Sequence, residues 1–460
     1  MKKFENNYDY SQTMWMKMFL AEPDFENNRS KVYITFEQAL ELVKTVDNLT
    51  PGVLKIIYLV GWQGLGHDDC YPEMETVNPY LKRECDATAR DSLLWLFEEA
   101  KKYSTVISYH GNVADEYSAN KSHPEFVAAD AILKNTDGSP AVIEVFNNRN
   151  AHKTSYKQYW DSGLFKKYWD RFCETVPVRE AGTVHLDNFC IAENLCPRTT
   201  VEEQDEGRNN MLDYIRGMGI DVTSEYTYRE LPLRSEDITH PIRNYYRTKY
   251  ETLPEDSWEN APLRALGRIP AVWWMSNMTI QDCMDISPKV YSGKLTDEVL
   301  RNTFYGDVHG EDIWKDNGIE NSVWVPIFMK EFCTQQIPYF YLNRRERLSY
   351  EKDPQTGYYN VKFSDGVESF GRNKTITRNG IVLKHRDDLI LPMTEENKTF
   401  IAFSTDGRSG EWNMPEASFE KARVYNLEAE GKRYICDRAV TDGRIYLELS
   451  PMQAVLIEGE

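Results

Sequence analysis

The chain has 460 residues, 41% of them hydrophobic and 28% charged, a balance that excludes a disordered polymer and suits one large domain with a smaller companion. Its 73 acidic side chains outnumber 54 basic ones, a formal charge of −19, which repels phosphate backbones and anionic bilayers and argues against nucleic-acid and membrane partners. Aromatic residues reach 13%, which fits proteins whose flat rings stack on sugar faces and fits a Tyr-rich β core equally well.

Residues 1–30 read as an N-terminal extension. Their only apolar patch is broken by Lys17, so they lack a signal-peptide pattern. No run approaches about 18 uninterrupted apolar residues, and the expectation is a cytoplasmic protein. Residues 32–36 read as a strand, 37–46 as a helix and 53–61 as a continuous buried strand. Apolar residues at three-and-four spacing predict a helix over 88–103. A strand at 105–109, a helix at 164–174 and a strand at 183–186 follow. The acidic stretch 193–207 reads as a loop, 208–218 as a helix and 221–226 as a strand. Further on come the apolar run 271–275, a helix over 323–335 and a strand at 339–342. Strand–helix alternation across 31–343 predicts an α/β fold, a (β/α)8 TIM-type barrel. A doubly wound sheet is the alternative, but no glycine-rich phosphate loop follows any strand. From 344 to 460 the runs are short, alternating and separated by turn residues, which predicts a C-terminal antiparallel β-sandwich domain. The eight cysteines are scattered, without a C-x-x-C pair, and read as free thiols.

In a barrel, side chains just past the C-terminal ends of the strands share one pocket. Four strand ends here carry ionisable groups. The strand 53–61 runs into Trp62, His67 and Asp68. The strand 105–109 runs into His110 and Asn112. The strand 183–186 contains His185 and runs into Asp187, and the next strand runs into Glu225 and Tyr226. Glu225 follows Asp187 by 38 positions, room for one loop, one helix and the next strand. Neighbouring strands lie about 4.8 Å apart, and a retaining glycosidase needs its two carboxyl groups about 5–5.5 Å apart. The pair therefore suits a double displacement, with capping residues at loop starts as the plain alternative. His67, His110 and His185 with Asp68 make a conceivable metal site. The H-x-H and H-E-x-x-H spacings are absent, however, so hydrogen bonding is the favoured role for these imidazoles. Trp62, at a strand lip, is placed to stack on a sugar, and the pair Trp273–Trp274 is assigned half to core and half to pocket, with Trp273 on the substrate side.

Five segments in order resemble glycoside hydrolase family 101, the endo-α-N-acetylgalactosaminidases, and the related family 129. LVGWQGLGHDDCYP resembles that family's strand ending in a G-H-D-S loop. VISYHGNVADEY resembles its next strand, VHLDNF the strand of the nucleophile, TSEYTYRE the strand of the acid/base, and AFSTDGRSGEWNMPE a signature of its β domain. The resemblance implies a retaining mechanism without a catalytic metal or cofactor. It implies Asp187 as nucleophile, Glu225 as acid/base, and His67, Asp68, His110 and Asn112 as contacts to a carbohydrate substrate. The sequence departs from the family where Asn-Phe-Cys follows Asp187 and where Tyr226 replaces a tryptophan. A binding protein that has lost catalysis and a metal-dependent barrel hydrolase are the alternatives kept beside this reading.

Overall fold

A computed structural model describes residues 6–146, 149–187, 189, 191–224, 313–356 and 358–460. Five parallel strands form the central sheet: β1 (Met14–Phe19), β2 (Lys55–Val60), β3 (Thr105–Gly111), then β7 (Thr183–Leu186) and β8 (Asp221–Ser224), in that spatial order. Every neighbouring pair is parallel. Between β3 and β7 the chain inserts a small antiparallel sheet of β4 (Asp115–Tyr117), β5 (Val142–Phe146) and β6 (Arg149–Lys153). Among the described residues the strands of the central sheet follow chain order.

The connections are helical: α1 (Phe36–Leu49), α2 (Ala89–Ala100), α3 (Leu164–Thr175) and α4 (Val201–Gly217). Three of them begin with a capping box, Thr35 with Gln38, Thr88 with Asp91 and Thr200 with Glu203. In each, the threonine accepts from the N3 amide while the N3 side chain accepts from the cap amide, satisfying two of the orphan donors of a helix start. Their apolar stripes close over the sheet, as Leu93, Leu96 and Phe97 of α2 and Phe165, Trp169 and Phe172 of α3 are all buried.

The structure changes four sequence expectations. Met14–Phe19 is not part of an extension. It is a fully buried strand paired with β2, and it brings Lys17 into the interior of the α/β unit. The strand expected at 32–36 lies earlier, at Arg29–Val32, and the Thr35 capping box starts α1 at Phe36. The loop expected at 193–207 holds two short strands and the first two turns of α4, again set by a capping threonine. The strand expected at 339–342 lies in a helix over Ile337–Asn343, which continues Asn321–Glu331 through a π turn at Phe332–Gln336. Its residues from Ile337 to Leu342 are all buried, and a short run apolar on every side has no periodicity to tell helix from strand. The run 271–275 lies outside the described residues.

From Arg347 to Gly459 the chain forms a twelve-stranded antiparallel sheet. Alternation gives it two apolar faces. Leu389, Leu391, Ile401, Phe403 and Leu456 join the core of the α/β unit, while Ile390, Phe400, Ala402, Val455 and Ile457 line a second core with Trp412 and Ile445. Polar links fasten the two units. Arg344 bridges them, its Nε donating to Gln12 Oε1 at 2.9 Å and its Nη1 to the Pro392 carbonyl at 3.1 Å, and Asn48 Nδ2 donates to the Ala429 carbonyl at 2.8 Å. No disulfide joins the described cysteines, and no described helix is long and apolar enough to cross a membrane.

Candidate functional site

The C-terminal ends of β1, β2, β3 and β7 deliver one cluster of polar side chains. The loop after β2 is built to hold its part still. Gly61 and Gly66 take φ of +76° and +137°, and a Cβ on them would stand 2.0 and 2.7 Å from the Ala21 carbonyl oxygen. Only glycine lets the loop fold so closely onto residue 21. There the His67 amide donates to Ala21 O at 2.8 Å. Asp69 accepts from the Leu65 amide at 2.8 Å and pairs with Arg149 Nη1 at 3.1 Å. The Arg149 guanidinium also covers the Phe25 ring, 3.5 Å from its centroid. Thus pinned from two sides, the loop presents His67 and Asp68, whose side chains contact at 3.3 Å. Asp68 itself sits at φ +57°, a conformation that costs free energy outside glycine and asparagine and that the surrounding bonds must hold.

A row of rings crosses the strand ends. Phe19 meets His67 at 5.3 Å, His67 meets His110 at 5.3 Å, His110 meets His185 at 5.4 Å, and His185 meets Tyr58 at 5.5 Å between centroids. His110 and His185 are register partners on β3 and β7. His185 Nδ1 lies 2.8 Å from Thr223 Oγ1, and His110 Nδ1 lies 3.3 Å from the Tyr71 hydroxyl. Burial pushes both imidazoles well below their ordinary range, with the charge of Lys17 acting the same way. They are therefore neutral groups that can donate or accept a hydrogen bond.

Asp187 leaves the end of β7, its amide donating to the Gly111 carbonyl at 2.8 Å. Burial raises its carboxyl to about 7; the positive charge of Lys17 opposes the rise, the negative charges of Asp68 and Asp115 add to it, and His67 opposes it. Asn112 reaches toward the same carboxylate, its Nδ2 standing 3.5 Å from Asp187 Oδ2. A partly buried carboxyl poised near neutrality, flanked by a cation and hydrogen-bond donors, can act as a nucleophile or exchange a proton.

Of the ten residues singled out in the sequence, six come together here: Asp187, His67, Asp68, His110, Asn112 and His185. Trp62 does not join them as a stacking surface. Its ring is fully buried against Tyr109 and Phe172, on the helix-covered side of the sheet, with Nε1 donating to the His110 carbonyl at 2.9 Å. Strand alternation from Tyr58, which meets His185, would keep Trp62 on the cluster's face, but Gly61 at φ +76° turns the chain between them. Glu225, Tyr226 and Trp273 lie outside the described residues. Lys17, Tyr71, Asp115, Tyr117 and Lys153 were not anticipated. A single lysine inside an otherwise apolar strand, and an acid alternating with an aromatic in the segment 115–117, were the signals available. Among the described residues no group of three or more His, Cys, Asp or Glu side chains is arranged to hold a metal ion.

No protein-family model matches the chain, and no curated protein matches it. Solved structures do. The α-N-acetylgalactosaminidase NagBb from Bifidobacterium bifidum, in complex with Gal-NHAc-DNJ, is similar at 13% identity and a TM-score of 0.49, over 80% of this chain and 58% of that one. The α-galactosidase TtGalA from Thermus thermophilus, in complex with stachyose, is similar at 10% identity and a TM-score of 0.31, over 48% and 41%. An Anoxybacillus α-amylase is similar at 10% identity and a TM-score of 0.39, over 99% of both chains. The chain spans 58% of the length of the Bifidobacterium enzyme.

Proposed function

We propose that the protein is a retaining glycoside hydrolase that cleaves α-linked N-acetylgalactosamine or a related α-galactoside from a glycan. In this reading the parallel sheet belongs to a (β/α)8 barrel ending near residue 343, and residues 344–460 form its β-sandwich companion. The observation that carries it is the position of Asp187, a carboxyl at a strand end, raised to about 7 and ringed by His67, Asp68 and Asn112 from the two preceding strand ends. The family resemblance of the same segments supports the assignment.

The chemistry follows from those roles. Ionised Asp187 attacks the anomeric carbon from the face opposite the aglycone and forms a β-linked glycosyl ester. Glu225, at the end of the next strand in sequence, gives its proton to the departing oxygen. It then takes a proton from water, which attacks the anomeric carbon from the vacated face, breaks the bond to the Asp187 oxygen and releases the α-configured sugar and the Asp187 carboxylate. Lys17 favours the ionised form of Asp187 needed for the first step. Asp68 accepts hydrogen bonds from sugar hydroxyls, and neutral His110 and His185 contribute further hydrogen bonds in place of charge. No cofactor enters the scheme.

Chromogenic α- and β-linked glycosides of N-acetylgalactosamine, galactose, glucose and N-acetylglucosamine test the reading, with Asp187→Asn as control. Hydrolysis of an α-galacto-configured substrate that the variant loses supports it. Hydrolysis of β-linked substrates alone, or full activity in Asp187→Asn, overturns it. One observation favours a second reading: a carboxyl near 7 is partly protonated at neutral pH and suits a hydroxyl donor in a sugar-binding protein without turnover. Saturable sugar binding with no hydrolysis of any glycoside would select that reading.

A further inference from the structure

Behind Asp187 lies a buried ion pair that the sugar chemistry does not use. Asp115 on β4 and Lys153 on β6 are direct partners across the small antiparallel sheet. Their side chains leave the same face, with Lys153 Nζ 3.7 Å from Asp115 Oδ1 and exposures of only 1% and 11%. Alternation turns the intervening Glu116 the other way, where it contacts His123 Nδ1 at 2.8 Å. A buried pair of this kind costs desolvation that a hydrophobic pair would avoid, so its presence beside a functional carboxyl calls for a role.

Asn112 supplies the link. Its Oδ1 accepts two backbone bonds, from Ala114 N at 2.8 Å and Asp115 N at 2.9 Å. Those two backbone donors fix which end of the amide is which, since an NH2 group in that place would face them donor to donor. The NH2 end is thereby forced toward two carboxylates, Asp115 Oδ2 at 2.7 Å and Asp187 Oδ2 at 3.5 Å. We propose that Asp115 and Lys153 are positioning residues that act through Asn112 to hold the Asp187 carboxylate in one orientation. Asn112 is then committed to the protein and serves the sugar only through Asp187.

The arrangement also acts on charge. The groups facing Asp187 are Lys17 from β1, His67 and Asp68 from the loop after β2, and Asp115 from β4, together with Tyr117 and the Asn112 amide. Asp115 disfavours ionisation of Asp187, whereas the Asn112 N–H favours it. Two substitutions should therefore shift Asp187 in opposite directions. Asp115→Asn removes a negative neighbour, so the Asp187 titration should fall by about one pH unit or more. Asn112→Ala removes the donor and should raise it.

The inference rests on Asp187 as the working carboxyl, and its test is kept separate from turnover. Carbon-13 NMR of aspartate-labelled full-length protein reads the Asp187 carboxyl directly, with Asp187→Asn giving the assignment. Opposite shifts in the two variants support the proposal, and where only one variant folds its own sign decides. An unmoved titration, or a shift of the opposite sign in either, overturns it. On the best glycoside found, each variant should lose roughly ten- to a hundredfold in kcat with KM changed far less, as expected when a reacting group is misaligned while substrate binding persists. Absence of all hydrolysis in the wild type would sink the glycosidase reading while the carboxyl titration still decides the positioning claim.

Discussion

Replacing Asp187 by asparagine should make the protein more stable at neutral pH and not at pH 4. Burial, helped by Asp68 and Asp115, lifts the folded-state carboxyl from 3.8 to about 7, so between those limits the folded state holds a proton that the unfolded chain has released. The unfolded state binds fewer protons there, and stability falls as pH rises through the window. At about 1.36 kcal/mol per pH unit the full shift corresponds to about 4 kcal/mol. Asp187 keeps part of its surface open to solvent, so about 2–4 kcal/mol is the expected loss. Asparagine has nearly the same shape and no ionisation, so the variant escapes this loss. Denaturant unfolding of both proteins at pH 4, 5, 6, 7 and 8 measures the difference. It should be small at pH 4, grow in favour of Asp187→Asn through pH 7 and then level off. A difference flat across that range, or one growing in favour of the wild type, would refute the placement of Asp187 in a desolvated, anionic setting. The same variant should lose almost all turnover, separating function from stability at one side chain.

The remaining predictions bear on the acid/base, the pinned loop and a helix start. Glu225→Ala should retain the first step on an activated aryl α-glycoside, stall at the second, and give an α-glycosyl azide when azide is added; a β-configured azide product would remove Glu225 from its role. Arg149→Ala unpins the loop carrying Asp68 by breaking the Asp69 contact at 3.1 Å. KM should then rise by roughly tenfold, corresponding to about 1.4 kcal/mol for a lost charge-assisted bond, and an unchanged KM would show that the loop holds its shape without it. Thr200→Ala should cost about 1 kcal/mol of stability by urea unfolding, and a neutral result would mean that the capping box on α4 contributes nothing beyond tertiary packing.

What could be read from the sequence followed from how completely local pattern and burial agreed. The strands Lys55–Val60, Thr105–Gly111 and Thr183–Leu186 are short runs rich in apolar and β-branched residues, and they emerge where expected. Met14–Phe19 was obscured by Lys17, which breaks the apolar pattern yet is buried with 6% of its surface exposed. Helix starts at Thr35 and Thr200 were written in their threonine and i+3 glutamine or glutamate, a signal outweighed by β-branched neighbours in one case and acidic character in the other. Within the site, strand-end position brought His67, Asp68, His110, Asn112, His185 and Asp187 to one place. Trp62 failed because it lies two positions past the strand end at Val60, beyond the turn that Gly61 makes at φ +76°. The pairing of Asp115 with Lys153 was invisible because cross-strand pairing inside an inserted sheet leaves no spacing to recognise.

The account depends most on Asp187 becoming covalently attached to sugar. Incubation with a slowly deglycosylated activated galactosyl probe, followed by proteolysis and mass spectrometry, locates the adduct. The expected result is one sugar equivalent on the peptide containing Asp187, at the Asp187 carboxyl, with label lost in Asp187→Asn and protected by substrate. An adduct on a different carboxylate, or turnover of the probe that releases β-configured sugar with no adduct, would contradict the nucleophile assignment and the retaining mechanism built on it.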